Sequence, residues 1–117
     1  MSAIWVEHLE GTLAEMTRNQ IPGVSAHYSE EHFPEAGWGL GWCLHVKKHT
    51  AIFAETLPSA ESYNHMGWGG TLYWVDPVQE LVGCYFSVEM QFDNRMNWLR
   101  NTQADLFVNG VTAAIME

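Results

Sequence analysis

The sequence predicts an α+β domain: a three-stranded antiparallel sheet with a helix at either end of the chain. Three observations predict it. Trp5, Leu9, Leu13 and Met16 recur at helical spacing near the start. Later runs, "WGLGWCLHV" and "LVGCYFSVEM" among them, are apolar, alternate with period two and are bounded by turn formers. The C-terminal stretch returns to helical spacing through Met96, Leu99, Leu106, Phe107, Ala113 and Ala114.

The first helix has Glu7, Glu10, Glu15 and Arg18 on its other faces and stops before "NQIPG", where Pro22 and Gly23 break it. Residues 19 to 37, containing "HYSEEHFPEAG", hold turn formers without a sustained period and read as loop. The first strand is 38 to 46, with Trp38, Leu40, Trp42, Leu44 and Val46 on one face and Gly39, Gly41, Cys43 and His45 on the other. Residues 47 to 64 read as an excursion with a partial strand at Ala51 to Ala54. A second strand follows from Gly67 to Val75, and a turn at "DPVQE" uses Asp76 and Pro77 at its opening positions. The third strand, 81 to 90, sets Val82, Cys84, Phe86 and Val88 on one face and Leu81, Gly83 and Tyr85 on the other. Because both faces are apolar, the sheet should be covered on both sides. Asp93 is placed to cap the last helix, which should run to about Ala114, with Gly110 as a weak point or a close-packing contact. Consecutive strands should pair, leaving the 67 to 75 strand central.

Length and charge bound the function. A chain of 117 residues, 47% hydrophobic and 16% charged, suits one domain spanning 1 to 117. Its net charge is −9, from 14 acidic and 5 basic residues, and only Lys47 and Lys48 adjoin each other. Neither a nucleic-acid surface nor docking on an anionic membrane is expected, since both need clustered positive charge. No run reaches the roughly 18 apolar residues of a membrane span, and the start lacks a basic-then-apolar leader pattern. A soluble cytoplasmic protein is the expectation. Cys43 and Cys84 are too few for a disulfide framework and lack zinc-type spacing, so they read as small buried hydrophobes.

The stretch "NHMGWGGTLYWVDP", residues 64 to 77, surrenders side chains to three glycines beside a histidine. Glycine weakens a strand and often marks a place where a ligand or another backbone comes close. Together with "MTRNQIPG", "GWGLGWCLHV", "VQELVGCYF" and "FDNRMNWLRNTQADLFVNGV", this stretch resembles the C-terminal portion of the β-lactamase-like serine hydrolases. That superfamily includes class C β-lactamases, D-alanyl-D-alanine carboxypeptidases and β-lactamase-fold esterases. The resemblance covers roughly residues 9 to 116, and His-x-Gly alone would be a chance match. Its specificity comes from context: Gly70-Thr71, Trp74 and Asp76-Pro77 follow, then an apolar strand and an amphipathic helix.

The resemblance implies a role for each residue of that motif. His65 stands where the family has the histidine of His-x-Gly, which holds a substrate carboxylate or assists proton movement. Met66 is the intervening residue, and Gly67 lets substrate lie against the strand. Trp68 would offer a backbone N–H to an oxyanion hole, a role preorganised donors fill well. The family's nucleophile, however, lies in Ser-x-x-Lys. Ser2, Ser25, Ser29, Ser59, Ser62 and Ser87 are followed three residues later by Trp, Tyr, His, Ser, His and Met, and Tyr63-Asn64 does not match the spaced Tyr-x-Asn pattern. The catalytic set is therefore incomplete, and His65 is expected to be inherited but idle.

In the complete family fold two further strands lie beside the strand matching 81 to 88. Without them that strand is expected to be an apolar edge, prone to pair with a second copy into a six-stranded sheet. Among the six histidines, His27 and His32 with Glu30 and Glu31 form the densest group, but loop residues of these types are commonly solvated, so no metal or other cofactor is expected. His45 and His49 read as a solvated strand end, and Trp38, Trp42, Trp68 and Trp74 as cross-strand packing. The reading favoured is a non-catalytic, self-associating module with a residual small-ligand site near His65. The alternatives are one component of a split serine hydrolase, completed by a chain carrying Ser-x-x-Lys, and an unrelated binding protein.

Overall fold

The computed structural model describes residues 3–28, 31–45, 57–67, 69–88 and 94–116. Its elements are α1 (Ala3–Met16), β1 (Ala26–Tyr28), β2 (Glu31–Phe33), β3 (Cys43–Leu44), β4 (Tyr63–Met66), β5 (Leu72–Asp76), β6 (Leu81–Tyr85) and α2 (Asn94–Met116). The class is α+β, as expected. The sheet has four strands rather than three, in the order β3-β4-β5-β6, and a separate hairpin joins β1 to β2. All neighbours are antiparallel.

The differences from the sequence expectation have local causes. The alternation over 38 to 46 conceals a bend: Gly39 N–H donates to the Trp42 carbonyl at 2.8 Å, and Gly41 adopts φ +84°, so only Cys43–Leu44 remain as strand. The expected 67 to 75 strand is divided. Its first residues form a loop in which Gly67 N–H donates to the Thr71 carbonyl at 2.7 Å and Gly70 N–H to that of Gly67 at 3.0 Å. Gly70 has φ +94°, a conformation costly for a residue with a Cβ, so this glycine serves the turn. The strand before the loop, β4, takes its first two residues, Tyr63 and Asn64, from the supposed excursion, and the stretch read as loop at 19 to 37 contains the β1–β2 hairpin. The partial strand at Ala51 to Ala54, the Asp93 cap and the end of the third strand at 89 to 90 lie outside the described residues.

The turn at 76 to 80 follows expectation. Asp76 and Leu81 close the β5–β6 pair, and the Asp76 carboxylate accepts from Val78 N–H at 3.1 Å and Gln79 N–H at 3.3 Å. An aspartate whose side chain captures the next amides is a standard turn initiator. Glu80 completes the loop at φ +52°.

One sheet face packs on α2. Leu72, Trp74, Ala104 and Val108 form the core, with Met66, Leu81, Tyr85 and Val111 packed around it. Each large apolar side chain so buried contributes roughly 1.5–3 kcal/mol. Among the described side chains of α2, Ala104, Val108 and Thr112, spaced by four, are buried, while Leu106 is exposed and Phe107, partly exposed, lies against the Trp74 and Tyr85 rings. A Cβ added to Gly110 would meet open space, so this glycine is not a packing contact.

The opposite face is open toward β6 and closed at Tyr63, which is buried beside Trp42. Cross-strand partners share a face, and the rows His65, Tyr73, Cys84 and Tyr63, Val75, Val82 lie on it. Val82, Phe86 and Val88 are 77%, 74% and 87% exposed, so the cover expected on both sides is present on one. Two residues of the α1 stripe are exposed as well, Leu9 at 58% and Leu13 at 47%. That helix is tied down at its C-terminal end instead. Leu40 N–H donates to the Met16 carbonyl at 2.8 Å, and Asn19 Oδ1 accepts from Ile21 N–H at 3.0 Å and Trp38 N–H at 3.3 Å. Among the described residues, no helix is long and apolar enough to cross a membrane.

Candidate functional site

Sequence places the candidate site at His65, Met66, Gly67 and Trp68, and the fold separates their surroundings. His65 is the third residue of β4, exposed on the open face opposite Tyr73. Alternation turns Met66 to the other side, where it packs on the core. Gly67 opens the loop, and a Cβ there would reach only ordinary contact distance of Thr71. Its neighbours therefore do not exclude a side chain, which leaves room over this point of the chain. Trp68, the expected oxyanion donor, lies outside the described residues.

His65 is oriented by the bend that displaced the first expected strand. Its Nδ1 lies 2.9 Å from the Gly41 carbonyl oxygen. A carbonyl can only accept, so Nδ1 carries the proton, and in the neutral ring Nε2 is left as an acceptor. Trp38 approaches the imidazole edge-on at 6.5 Å between centroids. The β3 ladder contacts β4 only at Tyr63 and Asn64, so it stops short of His65. The outer backbone edge of residues 65 to 67 thus extends past the β3 ladder, beside the 39 to 42 bend.

A second cluster, not anticipated from sequence, occupies the covered face. His45 Nδ1 is 3.2 Å from Ser62 Oγ, and His45 N–H donates to the Ser62 carbonyl at 3.1 Å, extending the ladder by one pair. Nearby, the Asp76 carboxylate accepts from Ser59 N–H and Ser59 Oγ, each at 2.6 Å. Burial pushes the Asp76 carboxyl up, but the Ser59 hydroxyl and the Ser59, Gln79 and Val78 amides outweigh it, and the net direction is down. Burial lowers the His45 pKa, with the Asp76 charge opposing it. Tyr63 is raised, again by burial. A serine, a histidine and an aspartate so close suggest a nucleophile and its base. Ser62 is only 4% exposed, however, and Asp76 spends its oxygens on Ser59 and the turn. The group holds the end of the sheet together. No short sequence spacing could reveal it, because Ser62 and Asp76 lie far from His45 along the chain.

The remaining tryptophans divide. Trp74 is core and meets Phe107 edge-on at 5.9 Å, and Trp42 meets Tyr63 at 5.1 Å. The first is a strand–helix contact rather than the cross-strand packing expected, and the second joins the residue just before β3 to β4.

A β-strand bearing an oriented histidine is thus followed by a glycine-containing turn, with a helix packed behind the sheet. The profile of the β-lactamase family matches residues 3–106, and the chain belongs to this family, within the β-lactamase-like serine hydrolases. Among curated proteins, one from Salmonella enteritidis bearing the name D-alanyl-D-alanine carboxypeptidase is 39% identical over 51 residues, covering 43% of this chain and 12% of that protein. A second of the same name, from Salmonella gallinarum, is 32% identical over 56 residues, 48% of this chain and 13% of its own length. The matched segment is thus a small part of either relative. No solved structure matches the chain significantly.

Proposed function

We propose that this chain is a non-catalytic, self-associating module: it keeps the substrate-flanking wall of a β-lactamase-like cleft, with a residual small-ligand site beside His65, and works in the cytoplasm. The observation that carries the reading is β6. It is the terminal strand of the sheet, and Val82, Phe86 and Val88 are exposed along it and its continuation. An uncovered apolar edge of this kind pairs readily with another strand, and pairing two copies antiparallel covers both at once. None of the six serines stands in Ser-x-x-Lys, which supports the absence of hydrolysis by these residues alone. At the ligand site, the Gly41 carbonyl fixes the imidazole and leaves Nε2 to accept a hydrogen bond from a small polar ligand.

Sedimentation velocity on the full chain and on Val82→Lys tests the association. The wild type should sediment as a concentration-dependent dimer, and the exposed lysine should shift it to monomer without loss of helical circular dichroism. A wild-type monomer at every concentration would contradict the proposal.

The same open face, together with the exposed Leu9 and Leu13 of α1, also favours a second reading, in which a separate chain carrying Ser-x-x-Lys covers these surfaces and completes a hydrolase. Titrating such a polypeptide into the protein and assaying an activated ester separates the two readings. Turnover that neither chain shows alone would establish complementation.

A further inference from the structure

The hairpin at 26 to 33 changes the meaning of two histidines. As loop residues His27 and His32 would be independent, but the register makes them direct cross-strand partners: Ala26 opposes Phe33, His27 opposes His32 and Tyr28 opposes Glu31. Directly opposed residues project from the same face of a hairpin. Both histidines are exposed, and their ring centroids lie 4.6 Å apart at an interplanar angle of 52°, so the rings are tilted toward each other rather than stacked.

We propose that His27 and His32 form a two-imidazole chelate for a borderline transition-metal dication, with zinc as the reference ion and water completing its coordination. Distance favours it. A zinc–nitrogen bond of about 2.0–2.1 Å sets a bound imidazole's centroid about 3.2 Å from the metal. Two such rings at ligand angles of roughly 90–110° have centroids about 4.5–5.2 Å apart. The observed 4.6 Å falls inside that interval. Imidazole nitrogen is a preferred donor for zinc, nickel and copper, and the net charge of −9 favours cations near the protein surface. Among the described residues no group of three or more metal-binding side chains gathers, so these residues offer the ion two protein ligands, a set of the weaker, exchangeable class.

The chelate is independent of the β6 edge and of His65, and its test is separate. Zinc chloride and nickel chloride are titrated calorimetrically into the full chain and into His27→Gln, His32→Gln and the double variant, with circular dichroism confirming the fold of each. Because the first imidazole holds the ion at high effective concentration for the second, either single substitution should weaken the one-to-one event by roughly tenfold or more. The double variant should add little further loss. Paramagnetic nickel should broaden the ring resonances of His27 and His32 before those of the other histidines. Wild-type affinity in both single variants, or no binding by the wild type up to about 1 mM zinc, would overturn the chelate.

Discussion

His45 shows how burial turns one side chain into a pH-dependent contribution to stability. It sits partly buried at the end of the β3–β4 ladder, bonded to Ser62, and desolvation lowers its pKa despite the Asp76 charge nearby. In the unfolded chain a histidine titrates near ~6.5. Below that value the unfolded state takes up a proton that the folded state still refuses, so the free energy of unfolding decreases as the pH falls. The contribution of the neutral ring is complete above the unfolded pKa, and the loss ends once the pH has passed the lower folded pKa. We expect thermal melts of the wild type to show a decline in melting temperature between pH 7.5 and 5.5, and that decline should be shallower in His45→Gln. Equal declines in the two proteins would show that the burial of His45 is not coupled to folding.

Packing between elements turns on one contact. A Cβ built on Gly83 would fall within the Trp74 ring, so β6 must carry glycine there for the indole to lie across it and reach α2. Neither side of the indole has slack, since Leu72, Ala104 and Val108 are fully buried around it. Gly83→Ala should therefore destabilise the fold by about 1–3 kcal/mol, the range for forcing extra atoms into a packed core. Urea denaturation measures this directly, and a loss well under that range would mean that the ring can move aside.

Elements governed by local chemistry could be read from sequence, and those governed by distant contacts could not. Both helices, the β5–β6 pair and the Asp76 turn follow from spacing, breakers and an aspartate before proline. The β1–β2 hairpin and β4 are strands of three and four residues, too short for alternation to register. The opposite error arose at Gly39 and Gly41, where alternating tryptophan and leucine concealed a bend. On α2, Phe107 of the expected stripe lies against Trp74 and Tyr85, whereas Leu106, Ala113 and Ala114 are exposed and Ala104 and Val108 are the buried contacts; Met96 and Leu99 have side chains outside the described set. At the candidate site, His65 was identifiable from its motif, but the Gly41 carbonyl that orients it depends on that unforeseen bend.

At the scale of the whole molecule, the fold is one-sided. Among the described residues, the sheet carries α2 on one face and exposes Val82, Phe86 and Val88 on and beyond its terminal strand, with Leu9 and Leu13 exposed on α1, so apolar surface is left to cover. The family to which the chain belongs places its attacking serine in a motif that none of these 117 residues supply. An oriented histidine thus stands in a chain whose serines all lack the Ser-x-x-Lys spacing, and the proposed reading is that the chain by itself undergoes no acylation.

Intact-mass spectrometry after prolonged incubation of the purified protein with a serine-directed acylating probe tests this most directly. The account predicts an unchanged protein mass. A stoichiometric adduct mapped to any serine, Ser62 in particular, would contradict it.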